Sequence, residues 1–273
     1  MASARRIPSA EQLLQEGVLV LGGLRALLLE LADPAVGHGV AEHSGFAANP
    51  LGRLHGTLTY VYLLQADEPR VLAAVADRIV RLHAGVRSAP GDTPAYDARH
   101  ADLQLWVAAT IHDTAIRMAE LVWGPLPTAL KDELLALDIR LGTSLGMPAE
   151  AWPADTAAFD AYFAQHAATL RFDDTTWAVV RQLFSPTAAP LWVRAAMPVL
   201  IRITAPLLPA GLGAQLGLAG RGRILLGAVR ALAPVYRAVP RRVRTLPRRR
   251  YLAAARRQAD RHPARVGAVG TEN

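Results

Sequence analysis

His83 is the residue of this chain whose type and surroundings could most directly support chemistry. It lies four residues after Ile79 and three before Val86, on the apolar side of a predicted helix. A neutral imidazole in apolar surroundings is a common ligand of haem iron in proteins that offer no thiolate. The same position also suits a core histidine whose ring nitrogens bond to backbone carbonyls. Position alone leaves both interpretations open.

Arg53 and Thr57 are four residues apart, which places them on one face of a predicted helix. Gly52 and Gly56 repeat this spacing, so the adjacent strip of the helix is bare of side chains and a flat partner can lie close to it. In such a setting an arginine can pair with a propionate or stabilise negative charge, and a threonine hydroxyl can donate to dioxygen. The alternative is helix packing through the two glycines, with Arg53 in a surface ion pair.

His112 and Asp113 share a predicted helix with Trp106. His112 fits a second metal ligand, a polar group in a pocket or a solvated side chain, and its position does not choose among them. The sequence has no cysteine, no paired Glu-x-x-His motifs, no phosphate-binding glycine loop after a strand and no nucleophile elbow around a serine. Thiolate metal sites and di-iron carboxylate sites are thereby excluded.

The elements that must position these side chains are predicted to be helices throughout. Hydrophobic residues make up 52% of the chain, and no run alternates apolar with polar residues as half-buried strands do. The predicted fold class is therefore all-α. We expect one domain over residues 11–250, followed by a basic and flexible tail over residues 251–273.

The first predicted helix covers residues 11–32 and is interrupted by Gly22 and Gly23. Each glycine costs about 1 kcal/mol against alanine, so a retained pair indicates close approach of another helix or of a flat ligand. The pair Asp33-Pro34 is expected to end this helix, and a polar stretch that bears histidines follows it to Asn49. Further helices are predicted over 50–65, 68–84, 102–123, 127–145, 156–170, 173–184 and 190–207, before a basic region rich in Pro and Gly.

Positive charge is concentrated near the C-terminus. From residue 190 onward there are 16 arginines and two acidic residues, a net charge of +14, whereas the preceding residues carry −7. The run PRRVRTLPRRRY fits a solvated tail, a site for anionic lipid headgroups or a nucleic-acid arm, and its lack of interleaved aromatic residues argues against the last. Together with the apolar, arginine-flanked segment 191–235, it predicts peripheral contact with an anionic membrane and no nucleic-acid partner.

The N-terminal segment lacks the apolar core of a secretion signal, and no long apolar stretch is free of charge. We therefore expect a cytoplasmic protein, with any membrane contact at the inner face. A spanning helix is not expected, because Arg194 and Arg202 interrupt the most apolar segment.

Several segments together resemble the family that contains bacterial rubber oxygenases (latex-clearing proteins) and the fungal MpaB-type oxygenase. Residues 21–58 resemble its opening pattern of a glycine pair, an ALLL run, a proline turn, an HS-x-F element and Arg-x-x-x-Thr, the last of which holds Arg53 and Thr57. The segment RIVRLHAGVRS resembles its H-x-x-V-R element, with His83 as the histidine. Residues 95–110 resemble its block ending in WVHAT, and LLPAGLGAQLGL and VPRRVRTLP resemble its C-terminal elements.

This resemblance implies a globin-like multi-helix bundle around a haem b pocket, with His83 as the iron ligand. It implies that Arg53 and Thr57 act on the distal or propionate side. The further cofactor contacts predicted are Gly22, Gly23, Trp106 and His112. The implied activity is that of a haem-b-dependent oxygenase, which uses dioxygen on a hydrophobic small molecule of isoprenoid or lipid-like kind.

Three positions depart from the family pattern. Asp33 stands where the family has the histidine of AHP, His100 where it has the aspartate of DP, and Ala108 where it has the histidine of WVHAT. His112 lies one turn beyond Ala108 on the same face, and we hypothesise that it replaces this imidazole. The departures also support a second interpretation, a non-catalytic haem-binding and membrane-associated protein of the same fold.

Overall fold

The computed structural model describes residues 7–43, 50–187 and 189–261, which form an all-α multi-helix bundle without a strand. The predicted fold class is confirmed. None of the helices described is long and apolar enough to cross a membrane. The helices are α1 (Ala10–Leu13), α2 (Gly23–Ala32), α3 (Pro34–His43), α4 (Pro50–Leu64), α5 (Pro69–His83), α6 (Ala101–Trp123), α7 (Thr128–Asp138), α8 (Arg140–Thr143), α9 (Thr156–Ala167), α10 (Asp174–Phe184), α11 (Leu191–Thr204), α12 (Ala210–Gln215), α13 (Arg223–Ala238), α14 (Arg241–Arg244) and α15 (Leu246–Arg261).

Helix α6 is the central element of the bundle. It is the longest helix described, and it is buried around most of its circumference, as expected for a helix packed on several sides. It packs against α2, α7 and α13, and against a 3-10 helix over Gly17–Gly22. The main core joins α6 to α2, α4, α9, α10 and α11. One side of α6 therefore faces α2, and the other faces α7 and α9.

Asp33 and Pro34 begin one helix as well as ending another. Helix α3 starts at Pro34, within the stretch that the sequence pattern assigns to a polar connection. The Asp33 carboxylate accepts a hydrogen bond from the Val36 backbone N–H at 2.9 Å, which caps the new helix. A proline in the first turn loses no helical hydrogen bond. An Asp-Pro pair suits both the end of one helix and the start of the next. The sequence pattern therefore predicts the end of α2 without revealing the start of α3.

The C-terminal basic region is packed well beyond the predicted domain end. Helix α15 lies against α4 and α5, and its Leu252 and Ala255 are buried in a cluster with Tyr62. Residues 251–261 are thus helical and packed at this end of the chain, and the predicted division into domain and tail stays a prediction. Residues 262–273 lie outside the described part of the chain.

Candidate functional site

Polar side chains from four helices are linked by a hydrogen bond or by electrostatic interaction. They are Glu30 of α2, Arg53 of α4, His83 of α5 and Thr110 of α6, called here the Glu30 cluster. The Thr110 hydroxyl lies 3.3 Å from Oε1 of Glu30 and 2.7 Å from the Val107 carbonyl oxygen. The Arg53 guanidinium acts electrostatically on both Glu30 and His83. Arg53 and His83, which lie on two different predicted helices, are therefore linked electrostatically in the folded protein.

Glu30 is the carboxylic acid of this cluster. It is half-buried in α2, next to Leu29 and Leu31, which are fully buried. Burial raises the pKa of Glu30 to about 7, although Arg53 and the hydrogen bond from Thr110 lower it. A carboxyl group that titrates near neutral pH can both take up and release a proton there. Glu30 is not among the residues predicted from the sequence, and the signal that could have found it is an acidic residue inside a run of leucines.

His83 ends α5 and is half-buried. Its Nδ1 is buried and has no hydrogen-bond partner among the described residues. Burial, and next the charge of Arg53, lower the pKa of His83, which favours the neutral imidazole. A core histidine held through Nδ1 would have a hydrogen-bond donor or acceptor there, and the described residues supply none. A neutral ring of this kind has the chemistry of a metal ligand.

Helix α4 presents an accessible face beside the cluster. Arg53 and Thr57 are exposed on it, and a Cβ added to Gly56 would meet no atom within 4 Å. The surrounding protein nevertheless lowers the pKa of Arg53 by burial, against the opposing effect of Glu30. The guanidinium is therefore partly shielded by the surrounding protein while part of the side chain reaches solvent. Among the described residues, no helix packs against α4 through Gly56.

Gly22 and Gly23 lie against other helices. A Cβ at Gly22 would stand 2.4 Å from Cγ2 of Thr114 and 2.9 Å from Cγ of Met118, and one at Gly23 would stand 3.2 Å from Cδ1 of Leu54. The close approach indicated by the glycine pair is therefore an approach of α6 at Gly22. Contact of either glycine with a cofactor stays a prediction.

Trp106 is fully buried in the main core. Its indole Nε1–H donates to the Leu29 carbonyl oxygen at 3.3 Å, and its ring stacks on that of His166 with 3.9 Å between centroids. Because Trp106 stands one helical turn before Thr110, it holds α6 against α2 next to the Glu30 cluster. Its contact with a cofactor stays a prediction.

Asp33 pairs with a histidine from another helix. Nε2 of His166 in α9 lies 2.9 Å from Oδ2 of Asp33. Burial raises the pKa of Asp33, but hydrogen bonds from His166 and the Val36 backbone outweigh it, so that the pKa lies below its ordinary value. At this departure from the family pattern, the carboxylate is thus engaged by an imidazole supplied by α9.

His112 lies on the opposite side of α6 from Thr110, since two residues turn a helix by about 200°. Its Nδ1 is 2.7 Å from Oδ2 of Asp138, and both side chains are buried. The rings of Trp152 and Phe159 pack edge-on against the imidazole, at 6.0 and 4.7 Å between centroids. The apolar crevice beside it leaves no room for a water molecule. The structure does not bring His112 to His83.

The other histidines that the sequence analysis named are placed elsewhere. His100 is exposed and precedes α6, while Nε2 of His43 lies 2.9 Å from the Tyr96 hydroxyl. The serine and phenylalanine of the HS-x-F element lie outside the described residues. Within the described ranges, no three His, Asp or Glu side chains gather as they do around a bare metal ion.

Comparisons with known proteins extend over most of the chain. The family described as ER-bound oxygenase mpaB/B'/rubber oxygenase, catalytic domain, matches residues 10–257. Uncharacterized proteins of Mycobacterium bovis and Mycobacterium tuberculosis are each 31% identical to it over 173 residues, which span 62% of this chain and 68% of theirs. No solved structure matches the chain. The chain belongs to the family of mpaB/B' and rubber oxygenase catalytic domains.

Proposed function

We propose that this protein is a haem-b-dependent oxygenase that uses dioxygen to oxidise a hydrophobic small molecule of isoprenoid or lipid-like kind. Membership of an oxygenase catalytic-domain family supports the oxygenase part. The haem part rests on one observation. His83 has a buried Nδ1 without a hydrogen-bond partner among the described residues, beside the cation Arg53.

The residues of the Glu30 cluster fit a haem. His83 supplies one neutral imidazole, which is the protein ligand that haem iron requires when the porphyrin supplies four nitrogens. The Arg53 guanidinium suits a propionate carboxylate. At Gly56 the adjacent strip of α4 carries no side chain and faces no described atom within 4 Å. When bound, the haem supplies the redox chemistry that activates dioxygen.

Glu30 and Arg53 have complementary tasks in this proposal. Glu30 exchanges a proton at neutral pH because its pKa is raised to about 7. The Thr110 hydroxyl, 3.3 Å from Oε1, helps to orient that carboxyl group. Arg53 holds a positive charge in place before negative charge develops on the reacting oxygen, which is electrostatic preorganisation. Thr57, one turn from Arg53 on the same face, offers a hydroxyl donor beside it.

Hemin titration of the purified full chain tests the haem part. The wild-type protein is expected to develop a Soret band on addition of hemin, with one iron per chain. His83→Ala is expected to lose the ordered band and to weaken binding about 100-fold or more, as loss of a metal-ligand contact does. His100→Ala is the control, because its side chain is 68% exposed and lies outside the cluster. An unchanged spectrum and affinity in His83→Ala would refute the proposed ligand.

The second candidate, a haem-binding protein without catalysis, is favoured by the changes at three family positions. One of them, Asp33, is bonded to His166, and another, Ala108, is a buried apolar residue. Oxygen uptake by the hemin-loaded protein with an isoprenoid such as squalene, followed by product analysis, separates the two candidates. Glu30→Gln is expected to bind hemin normally and to slow oxygen uptake about 100-fold, the scale of general acid–base catalysis. Hemin binding without uptake on isoprenoid or fatty substrates would favour the binder.

A further inference from the structure

The outward side of α13 is apolar over the whole length of the helix. Ile224 is 93% exposed, Leu232 61% and Val235 62%. At 3.6 residues per turn, the exposed apolar positions fall within about 160° of the helix circumference, and no charged residue stands among them. The residues that complete this arc are Gly227, Ala228, Ala231, Pro234 and Ala238.

A row of arginines borders this arc. Arg223 and Arg230 are seven residues apart and exposed, so they project from the same edge of α13. The next member of the row, Arg237, donates a hydrogen bond to the Val122 carbonyl oxygen and anchors the helix to α6. The edge of the apolar arc therefore carries exposed positive charge at the start and in the middle of the helix.

Helix α11, which neighbours α13, also exposes apolar side chains. It packs against α13, and a Cβ at Gly222, which precedes α13, would overlap the Arg202 carbonyl oxygen at 1.8 Å. At its other end, Leu191 is 77% and Trp192 69% exposed, and Val199 between the two ends is 48% exposed. Exposed tryptophan beside aliphatic residues is typical of the interface between a bilayer and water.

The exposed apolar residues do not serve the packing of the fold. Helix α13 buries Leu226 and Ala233 against α6, and α11 buries Val193 and Met197 in the main core. The opposite faces of both helices are therefore available for a partner. Single exposed apolar residues are ordinary in proteins, but a bordered apolar surface on two packed helices marks an interaction site.

We propose that the exposed faces of α11 and α13, called here the α11–α13 surface, bind an anionic phospholipid bilayer without crossing it. The apolar arc would enter the acyl boundary while the arginines reach the headgroup phosphates, as in interfacial amphipathic helices. Charge complementarity favours this partner, since Arg194 and Arg202 of α11 are exposed as well as the two arginines of α13, and neither helix contains an acidic residue. A nucleic acid would leave the apolar arc in water, and a second copy would leave the exposed arginines without acidic partners on these two helices. The inference does not depend on the proposed chemistry.

Sedimentation of the full chain with vesicles tests the surface. The protein is expected to pellet with vesicles of phosphatidylcholine and phosphatidylglycerol, and much less with phosphatidylcholine alone. The double variant Ile224→Asp, Leu232→Asp is expected to lower the partition coefficient about tenfold or more. Leu82→Asp is the matched control, because Leu82 and Leu232 are both 61% exposed and Leu82 belongs to α5.

A second pair of variants tests the charge. Arg223→Gln with Arg230→Gln is expected to remove most of the preference for anionic vesicles, whereas Arg78→Gln with Arg81→Gln on α5 removes equal charge and is expected to keep it. The fluorescence of Trp192 is expected to be quenched by brominated lipids, and Trp192→Phe removes that part of the signal.

Three results would overturn the proposal. The first is absence of pelleting with anionic vesicles under conditions where the circular dichroism shows folded protein. The second is equal loss in the Leu82→Asp control. The third is a concentration-dependent dimer that the Ile224→Asp, Leu232→Asp variant abolishes, which would assign the surface to a second copy of the chain.

Discussion

The regions on the two sides of α6 contain histidines whose Nδ1 atoms differ in hydrogen bonding. On one side, Nδ1 of His112 is 2.7 Å from a buried carboxylate oxygen of Asp138, and aromatic rings surround it. On the other side, Nδ1 of His83 is buried without a hydrogen-bond partner among the described residues, and Arg53 lies nearby. A satisfied buried polar group stabilises a fold, whereas an unsatisfied one costs free energy unless something else fills its place.

The difference shows how to separate a structural histidine from a ligand-binding one. Both residues lie on predicted helices and both carry a plausible functional assignment in the sequence. Only the bonding state of the ring distinguishes them. The predictions that follow test whether the His112 side is closed and structural while the Glu30 side is open and functional.

The largest expected effect is on folding stability in the haem-free protein. His112→Ala leaves the buried carboxylate of Asp138 without its partner and is expected to lower the free energy of unfolding by about 3 kcal/mol. His83→Ala removes an unpartnered nitrogen and is expected to change it by less than about 1 kcal/mol. Urea unfolding of both variants measures the difference. Replacing His112 and Asp138 together by leucine is expected to recover much of the loss, and equal losses for the two histidines would contradict the comparison.

The second effect is a pH dependence located at Glu30. Its pKa is about 7 in the folded protein against an ordinary value of 4.5, so the folded state holds the proton more tightly. The contribution of protonated Glu30 to the free energy of unfolding is complete below pH 4.5 and is lost as the pH rises through about 7. Because Glu30 is only half-buried, we expect about 1–3 kcal/mol across this interval.

Urea unfolding from about pH 4 to about pH 8 measures this contribution, because the range brackets the ordinary pKa of Glu30 and its pKa in the folded protein. Glu30→Gln is expected to remove it, whereas Glu133→Gln, at an exposed position of α7, is expected to leave the pH profile unchanged. A profile that Glu30→Gln does not alter would show that the carboxyl group is not held in the protonated form.

The third effect contrasts two glycines. Gly56→Ala is expected to stabilise the haem-free protein by about 0.5–1 kcal/mol, because alanine is the better helix former and the space is open. The same change is expected to weaken hemin binding if the porphyrin lies on that strip of α4. Gly22→Ala is expected to destabilise by about 1–3 kcal/mol, because its Cβ would stand 2.4 Å from Thr114. Thermal unfolding with and without hemin measures the stability and the hemin binding of each variant. If Gly56→Ala destabilises the haem-free protein, the face of α4 at Gly56 is packed against other atoms and not open.

The smallest effect concerns the charge beside His83. Arg53→Met is expected to raise the pKa of His83 towards its ordinary value, since the guanidinium lowers it after burial does. NMR titration of the His83 ring in haem-free protein measures the change. Arg117→Met, which removes an arginine that pairs with Asp113, is the control and is expected to leave His83 unchanged. If both variants shift the pKa of His83 equally, Arg53 has no specific effect on His83 and does not belong to the Glu30 cluster.

Much of the local structure, and less of the packing, could be predicted from the sequence. Gly22 and Gly23 correctly marked a break, yet the preceding segment forms a 3-10 helix over Gly17–Gly22 rather than a longer α-helix. The Asp33-Pro34 pair was assigned to a helix end only, and the arginine-rich sequence concealed the face that buries Leu252. In each case a local pattern was compatible with two structures, and contacts with distant residues selected one.

The candidate site was only partly visible in the sequence. His83 and Arg53 could be selected from helical spacing and family resemblance, but nothing in the local pattern singled out Glu30 within its run of leucines. Asp33, which departs from the family pattern, pairs with His166, and no local sequence pattern connects these two residues. Such pairs join segments that are far apart along the chain, so their partners depend on how the helices pack.

The sequence by itself determined the all-α class, the approximate helices and the family, because these follow from residue spacing along single segments and from the order of motifs. Tertiary structure alone decided which histidine is satisfied. The neighbours of a ring nitrogen come from other helices, Asp138 at His112 and Arg53 at His83. Burial that raises the pKa of Glu30 to about 7 likewise exists only once four helices are packed together.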